Sequence, residues 1–80
     1  MVQYLISAVK LVNGVEVDLL ELFSYDSKRK ALKEARSIAE GASPTSQVLK
    51  GFTDIVVNEC FGDEVGNCLG YTKVARFKIL

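Results

Sequence analysis

Two adjacent residues, Asn13 and Gly14, constrain the fold of this chain more than any other feature of its sequence. They separate two runs rich in β-branched and aromatic side chains, VQYLISAVKLV at 2–12 and VEVDLLELFSY at 15–25. Asparagine and glycine both tolerate the positive φ of the tight turn that joins hairpin strands. The sequence therefore predicts that the chain begins with a long β-hairpin.

The two-residue turn also predicts which residues of the hairpin pair, because turn length sets the register. The predicted pairs are Val12 with Val15, Lys10 with Val17, Ala8 with Leu19, and Tyr4 with Phe23. One face then carries Tyr4, Ile6, Ala8, Val17, Leu19 and Phe23. The other carries Leu5, Val9, Leu11, Leu20 and Leu22, with Ser7, Glu16 and Asp18. Neither face is cleanly polar, so two alternatives stay open: a bulge at Leu19–Leu20 switches the register, or another chain covers the second face.

A helix is predicted to follow the hairpin and to end at about Glu40. Asp26 or Ser27 is a natural N-cap, since a short side-chain oxygen accepts from the first free N–H groups, and Gly41 suits the left-handed C-cap. Small and apolar residues recur at helical spacing on one stripe: Ala31, Leu32, Ala35, Ile38 and Ala39. Such a stripe lets the helix pack closely on a sheet.

An extra short helix at 44–50 is outlined by Ser43, Pro44 and Gly51, with a loop as the alternative.

Two further strands are predicted at 53–61 and 69–80, joined by a hairpin loop, GDEVGN, at 62–67. The element order is then β-β-α-β-β. The simplest packing of these elements is a two-layer α+β fold, in which one main helix lies on one face of an antiparallel sheet of about four strands. A chain of 80 residues is expected to form a single domain, spanning residues 1–80.

The composition excludes several classes of function. Ten basic residues cancel ten acidic ones, so no global field attracts nucleic acid or membrane. No apolar run approaches the ~20 residues of a membrane helix, and the N terminus lacks the basic start of a secretory signal. The chain has no histidine, which removes the commonest general base and a common metal ligand. We expect a cytoplasmic protein that is not an enzyme and uses no cofactor or metal.

The two cysteines, Cys60 and Cys68, are placed symmetrically about Glu64 in the predicted second hairpin. In a symmetric hairpin they face each other, close enough for a disulfide. Buried thiols are the favoured interpretation, because cysteine packs well as a small apolar side chain and a cytosolic compartment keeps it reduced. A structural disulfide is the alternative.

The start of the predicted helix is unusually basic, with Lys28, Arg29, Lys30, Lys33 and Arg36 within nine residues. Cations near a helix N terminus oppose the macrodipole, so they invite an explanation. In the favoured interpretation their aliphatic stems cover the sheet edge while the charged heads stay in water. In the alternative they bind an anion, either a nucleic-acid phosphate or an acidic partner, and Arg76 and Lys78 extend the patch.

Two functional hypotheses follow. The first is a small non-catalytic protein-interaction module, either a homodimer or an inhibitor of a larger protein. The second is a nucleic-acid or phosphate-binding module that uses the basic helix at 27–40, with Tyr4, Tyr25 and Tyr71 as candidate stacking platforms.

The element order, small size and missing catalytic set resemble those of many small phage-encoded proteins, which implies origin in a phage or mobile element. The sequence signals no small-molecule substrate. Glu16, Asp18 and Glu21 form an acidic strip that is best interpreted as a solvated strand face.

Overall fold

The computed structural model describes residues 2–63, 65 and 67–80 of the chain and confirms the predicted α+β architecture. The elements are β1 (Val2–Val12), β2 (Val15–Tyr25), helix α1 (Lys28–Ala39), a 3-10 helix (Pro44–Val48), β3 (Asp54–Gly62) and β4 (Cys68–Lys78). The predicted loop at 62–67 includes Glu64 and Gly66, which lie outside the described residues.

The first hairpin turns where the sequence predicts. Asn13 and Gly14 have φ values of 53° and 78°, in the left-handed region that these two residue types tolerate. Val12 pairs with Val15, as predicted. The turn therefore fixes the register at its own end of the hairpin.

The four strands form one antiparallel sheet in the order β2-β1-β3-β4. The central strands pair without interruption, from Val2 opposite Phe61 to Val9 opposite Asp54. The edge strands are irregular, and each carries two residues that have no partner in the ladder: Val17 and Leu22 in β2, Leu69 and Val74 in β4. The bulges therefore lie at the sheet edges, where they blunt pairing with another chain.

These bulges correct the predicted pairing of the first hairpin. Lys10 lies opposite Asp18 rather than Val17, and Ala8 lies opposite Leu20 rather than Leu19. Tyr4 lies opposite Tyr25 rather than Phe23. The prediction of a bulge at Leu19–Leu20 was wrong in position, because the extra residues flank that step on both sides. Since the side-chain period of a strand is two, this shift exchanges the faces of Leu19 and Leu20.

Helix α1 lies on one face of the sheet and forms the core with it. Ala31, Ala35, Ile38 and Ala39 are buried, and Leu32 packs against them, as the stripe predicts. They pack on residues from both central strands: Ile6, Ala8, Ile55 and Val57. Ser27 caps the helix by accepting a hydrogen bond from the Lys30 amide, and Gly41 follows it with φ 81°. The 3-10 helix occupies part of the predicted 44–50 segment, with Ser43 as its cap.

Candidate protein-interaction face

The opposite face of the sheet is not covered by any element within residues 2–63, 65 and 67–80. Helix α1 packs on the side of Ile6 and Ala8, and the 3-10 helix contacts α1 rather than a strand. Val9 and Val56 are buried but lie outside the core cluster beneath the helix, because they alternate onto the other side of the central strands. We call this second side of the sheet the open face.

The open face is built from rows of cross-strand neighbours that run across all four strands. The first row is Leu19–Val9–Asp54–Lys78, the second is Glu21–Ser7–Val56–Arg76, and the third is Ser24–Leu5–Asn58–Lys73. Residues directly opposite each other in an antiparallel pair share a face, so each row lies on one side of the sheet.

The centre of the open face is closely packed and its apolar rim is exposed. Val9 and Val56 are 1% and 4% exposed, and the neighbouring Ser7 and Asp54 are 4% and 8% exposed. Leu19 and Tyr71 on the edge strands are 47% and 61% exposed. The open face therefore has a buried centre of mixed polarity and an exposed apolar side chain at each margin.

The two margins carry opposite charge. Strand β2 contains three acidic residues and no basic one, whereas β4 contains three basic residues and no acidic one. On the open face these residues are Glu16 and Glu21 along β2, and Lys73, Arg76 and Lys78 along β4. Asp18 pairs with Lys10, which alternates onto the helix side of β1. The acidic strip suggested by the sequence is thus divided between the two faces.

One ion pair fixes part of the basic margin. Arg76 Nε lies 3.6 Å from Asp54 Oδ2, and the Asp54 side chain is only 12% exposed while that of Arg76 is 54% exposed. A nearly buried carboxylate needs a charged or hydrogen-bonding partner to offset its desolvation. Asp54 therefore pairs with the guanidinium at its Nε, and about half of the Arg76 side chain remains exposed.

The structure joins Cys60 and Cys68 in a disulfide with a Cα–Cα distance of 5.6 Å. The two residues do not face each other directly, as the symmetric hairpin would require. Cys60 lies opposite Tyr71 and Cys68 lies opposite Gly62, because Leu69 adds an extra residue to β4. The bridge is diagonal, and it ties the two strands together beside Tyr71 on the open face.

The five basic residues of the helix lie away from the open face, and all are exposed. Arg36 lies with its guanidinium 5.6 Å from the centre of the Phe77 ring, so its stem covers the edge of the sheet. A shallow groove connects Arg36 with Arg76 and Lys78 at this edge. A second groove, towards β2, brings Lys30 and Lys33 together with Tyr25 and Glu34. The structure therefore distributes the patch formed by Lys28, Arg29, Lys30, Lys33 and Arg36 along the helix instead of gathering it at one point.

Two of the three candidate stacking tyrosines belong to the helix side of the sheet. Tyr4 and Tyr25 pack against the core, and burial raises the pKa of both phenols. The Glu59 carboxylate beside Tyr4 raises the pKa of Tyr4 further by Coulomb repulsion and by accepting its hydrogen bond, and Glu34 acts on the pKa of Tyr25 by repulsion. Tyr71 stands apart from them on the open face.

Sequence reasoning did not identify the rows of the open face. The pairing of Glu21 and Arg76 in one row depends on the strand order β2-β1-β3-β4 and on bulges in both edge strands. The one available signal was the segregation of acids into the second strand and bases into the last. In the part of the chain that the structure describes, no three cysteine, aspartate or glutamate side chains gather into a set of metal ligands.

Comparisons of the chain with protein-family models, with curated proteins and with solved structures find no match. Among the helices of the described residues, none has the length and apolar character needed to cross a membrane.

Proposed function

We propose that this chain is a non-catalytic protein-interaction module and that its partner binds the open face. The observation that carries the proposal is that this side of the sheet lacks a covering layer and exposes Leu19 and Tyr71 beside charged residues. Exposed apolar side chains bordered by polar ones are typical of protein interaction sites. Leu19 and Tyr71 are the exposed side chains best placed to anchor a partner, since aromatic and large aliphatic residues contribute most where they become desolvated.

The proposal is tested by a Leu19→Lys variant with Val48→Lys as its matched control. Both changes place an ammonium group on an exposed apolar residue, and Val48 is 66% exposed on the 3-10 helix, away from the open face. The fluorescently labelled chain is examined by sedimentation velocity, both as purified protein and in a lysate of the cells that express it. We expect native and Val48→Lys protein to sediment as a complex larger than the 8.8 kDa chain, and Leu19→Lys protein to sediment as the free chain.

Circular dichroism of the variants shows whether each one is folded, so that loss of binding is separated from loss of structure. The proposal is wrong if native protein sediments as the free chain both in purified form and in lysate. Equal behaviour of the folded Leu19→Lys and Val48→Lys variants would also contradict it, because the contact would then lie elsewhere.

A second candidate function, phosphate-backbone binding, is supported by the groove that continues the basic helix surface from Arg36 to Arg76 and Lys78. If this surface binds duplex DNA, affinity falls with salt by roughly 0.9 logarithmic units per neutralised phosphate for each decade of salt. The test is fluorescence anisotropy with random duplex and single-stranded oligonucleotides at ~50 and ~200 mM salt, using native protein and a Lys28/Arg29/Lys30→Glu variant. Salt-weakened binding that the variant abolishes supports this function, and absence of native binding rejects it.

A further inference from the structure

We infer that the occupant of the open face is a second copy of this chain, stacked face to face about a two-fold axis that runs parallel to the strands. This inference rests on the proposed function and names its partner. It is carried by charge complementarity between the two margins of the open face, as the row Glu21–Ser7–Val56–Arg76 illustrates.

The row has an acid at one end and a base at the other, and its midpoint lies between β1 and β3. Rotation by 180° about an axis parallel to the strands through this midpoint exchanges the two ends of the row. Glu21 of one copy then lies over Arg76 of its partner, Ser7 lies over Val56, and the same contacts recur in reverse. An isologous contact of this kind closes as a dimer.

The charges select this axis over the other two-fold axis in the plane between the sheets. An axis perpendicular to the strands places β2 on β2 and β4 on β4, so acids meet acids and bases meet bases. The axis parallel to the strands places Glu21 near Arg76 and gives Lys73 and Lys78 the uncharged partners Ser24 and Leu19. Like charges held together across an interface disfavour pairing, so the charges favour the axis parallel to the strands over the perpendicular one.

The geometry of stacked sheets allows the two charged groups to meet. Face-to-face sheets pack ~10 Å apart with strands crossing at about −30°. For strands ~4.8 Å apart, this crossing displaces Glu21 along the strand direction by roughly 4 Å from the partner's Arg76. Glutamate and arginine side chains together span the sheet separation and absorb this displacement. The Arg76 side chain remains 54% exposed while it is paired with Asp54, so its own chain does not enclose it.

The size of the open face is consistent with a weak to moderate dimer. Four strands at ~4.8 Å spacing and eight paired residues at ~3.3 Å per residue give a plan area of roughly 500 Å². This lies below the ~800 Å² per partner of a standard interface, as is typical of dimers that dissociate readily.

The edges of the sheet are less suited to self-association than the open face. Strands β2 and β4 each contain two bulges, and bulges interrupt the hydrogen-bond ladder that edge-to-edge pairing requires. Pairing of β2 with β2 would also bring acidic strands together. The complementary surface is the open face.

The first test reverses the charges one at a time and then mixes the variants. In a dimer of the Glu21→Arg variant, two basic side chains meet at each of the two contacts. In a dimer of the Arg76→Glu variant, two acidic side chains meet there. We expect the dissociation constant of each variant, measured by sedimentation equilibrium, to rise about tenfold or more. In the equimolar mixture, a heterodimer contains one reversed attractive pair and one native pair, so dimers reappear with affinity close to that of the native protein. Lys50→Glu and Asp26→Arg, which make the same charge changes at exposed positions outside the open face, are expected to leave the native affinity unchanged.

The second test uses the native protein, because Arg76→Glu also places a carboxylate beside Asp54 and could unfold the chain. A carbodiimide joins carboxylates and lysines only when they are in contact. Within one chain, β2 and β4 are three strand spacings apart, roughly 14 Å, so Glu21 does not reach Lys73 or Lys78. Mixing unlabelled and ¹⁵N-labelled chains before the reaction identifies intermolecular products by mass spectrometry. We expect a crosslink between Glu21 of one chain and Lys78 of another, because these two residues stand in adjacent rows of the proposed contact.

The outcomes separate this inference from the proposed function. Purified native protein that remains a monomer and gives no β2–β4 crosslink between chains overturns the inference. So does a dimer that is insensitive to both charge reversals. If the purified chain is a monomer but forms a larger, Leu19-dependent complex in lysate, the proposed function stands and the second copy is excluded as its partner. If the chain is free in lysate as well, both are wrong.

Discussion

Thr53 immediately precedes β3 and extends the pairing of the central strands through its contacts with Val9. Its amide donates to the Val9 carbonyl at 2.9 Å, and its hydroxyl lies 3.3 Å from the same oxygen. The hydroxyl also accepts from the Leu11 amide at 3.0 Å. The Thr53 hydroxyl thus gives the Leu11 amide the acceptor that a backbone carbonyl would supply in a longer ladder.

Replacement of Thr53 by valine is therefore expected to destabilise the fold. The substitution keeps the shape of the side chain but leaves the Leu11 amide without its acceptor, a loss of roughly 1–3 kcal/mol when the group is buried and less where water reaches it. Urea unfolding followed by circular dichroism measures the change. Thr72→Val on the exposed part of β4 is the control and should change the unfolding free energy by no more than about 0.5 kcal/mol. Equal effects of the two substitutions would contradict the role assigned to the Thr53 hydroxyl.

The close approach of helix and sheet depends on the small side chain of Ala35. This residue has no accessible surface and lies in the core cluster. Ala35→Leu should cost about 1–3 kcal/mol, because the extra carbons force the helix away from the sheet or into strained rotamers. Lys33→Leu, an exposed position on the same helix, is the matched control. A leucine tolerated equally at both positions would show that the layers are packed more loosely than described.

The disulfide between Cys60 and Cys68 is expected to contribute measurably to stability. The bridged residues are eight positions apart, and the chain-entropy relation gives roughly 2–3 kcal/mol for a loop of this length. A Cys60→Ser/Cys68→Ser variant should lose about this amount, and reductant should lower the stability of native protein but not of the variant. Two reactive thiols per folded, unreduced chain in a thiol titration would show instead that the cysteines are reduced.

Alkaline pH is expected to weaken the fold through Tyr4 and Tyr25. The pKa of each phenol is raised in the folded state, chiefly by burial, so the folded chain holds these protons more tightly than the unfolded chain. This stabilisation is fully present below the unfolded tyrosine pKa of about 10 and is lost as pH rises through the folded values. Absorbance titration of tyrosinate should show that Glu59→Gln lowers the pKa of Tyr4, since the substitution removes the neighbouring negative charge. An unchanged titration curve in that variant would contradict the proposed effect of Glu59.

Much of the fold was predictable because local signals agreed with one another. Asn13-Gly14 specified the first turn, Ser27 and Gly41 bounded the helix, and the spacing of Ala31 to Ala39 identified its buried stripe. The register of β2 was not predictable, since neither Val17 nor Leu22 is a residue type that signals the bulge found there. Leu19 was therefore assigned to the wrong face.

The candidate site was harder to predict than the fold. The basic helix stands out in the sequence as a local run of charge. The open face joins residues more than fifty positions apart, such as Glu21 and Arg76, and only the strand order brings them into one row. The sequence shows that acidic residues are concentrated in β2 and basic residues in β4. It does not show that these two strands lie at opposite edges of one sheet.

The most direct measurement of the central claim is site-specific photocrosslinking in cells that express the protein. A photoreactive amino acid is placed at Leu19 or Tyr71 on the open face, or at Val48 as the control. The account predicts covalent protein adducts from Leu19 and Tyr71 and none from Val48, with the adduct mass indicating whether the partner is a second copy. Adducts from Val48 alone, or from none of the three positions, would contradict the claim that a protein partner binds the open face.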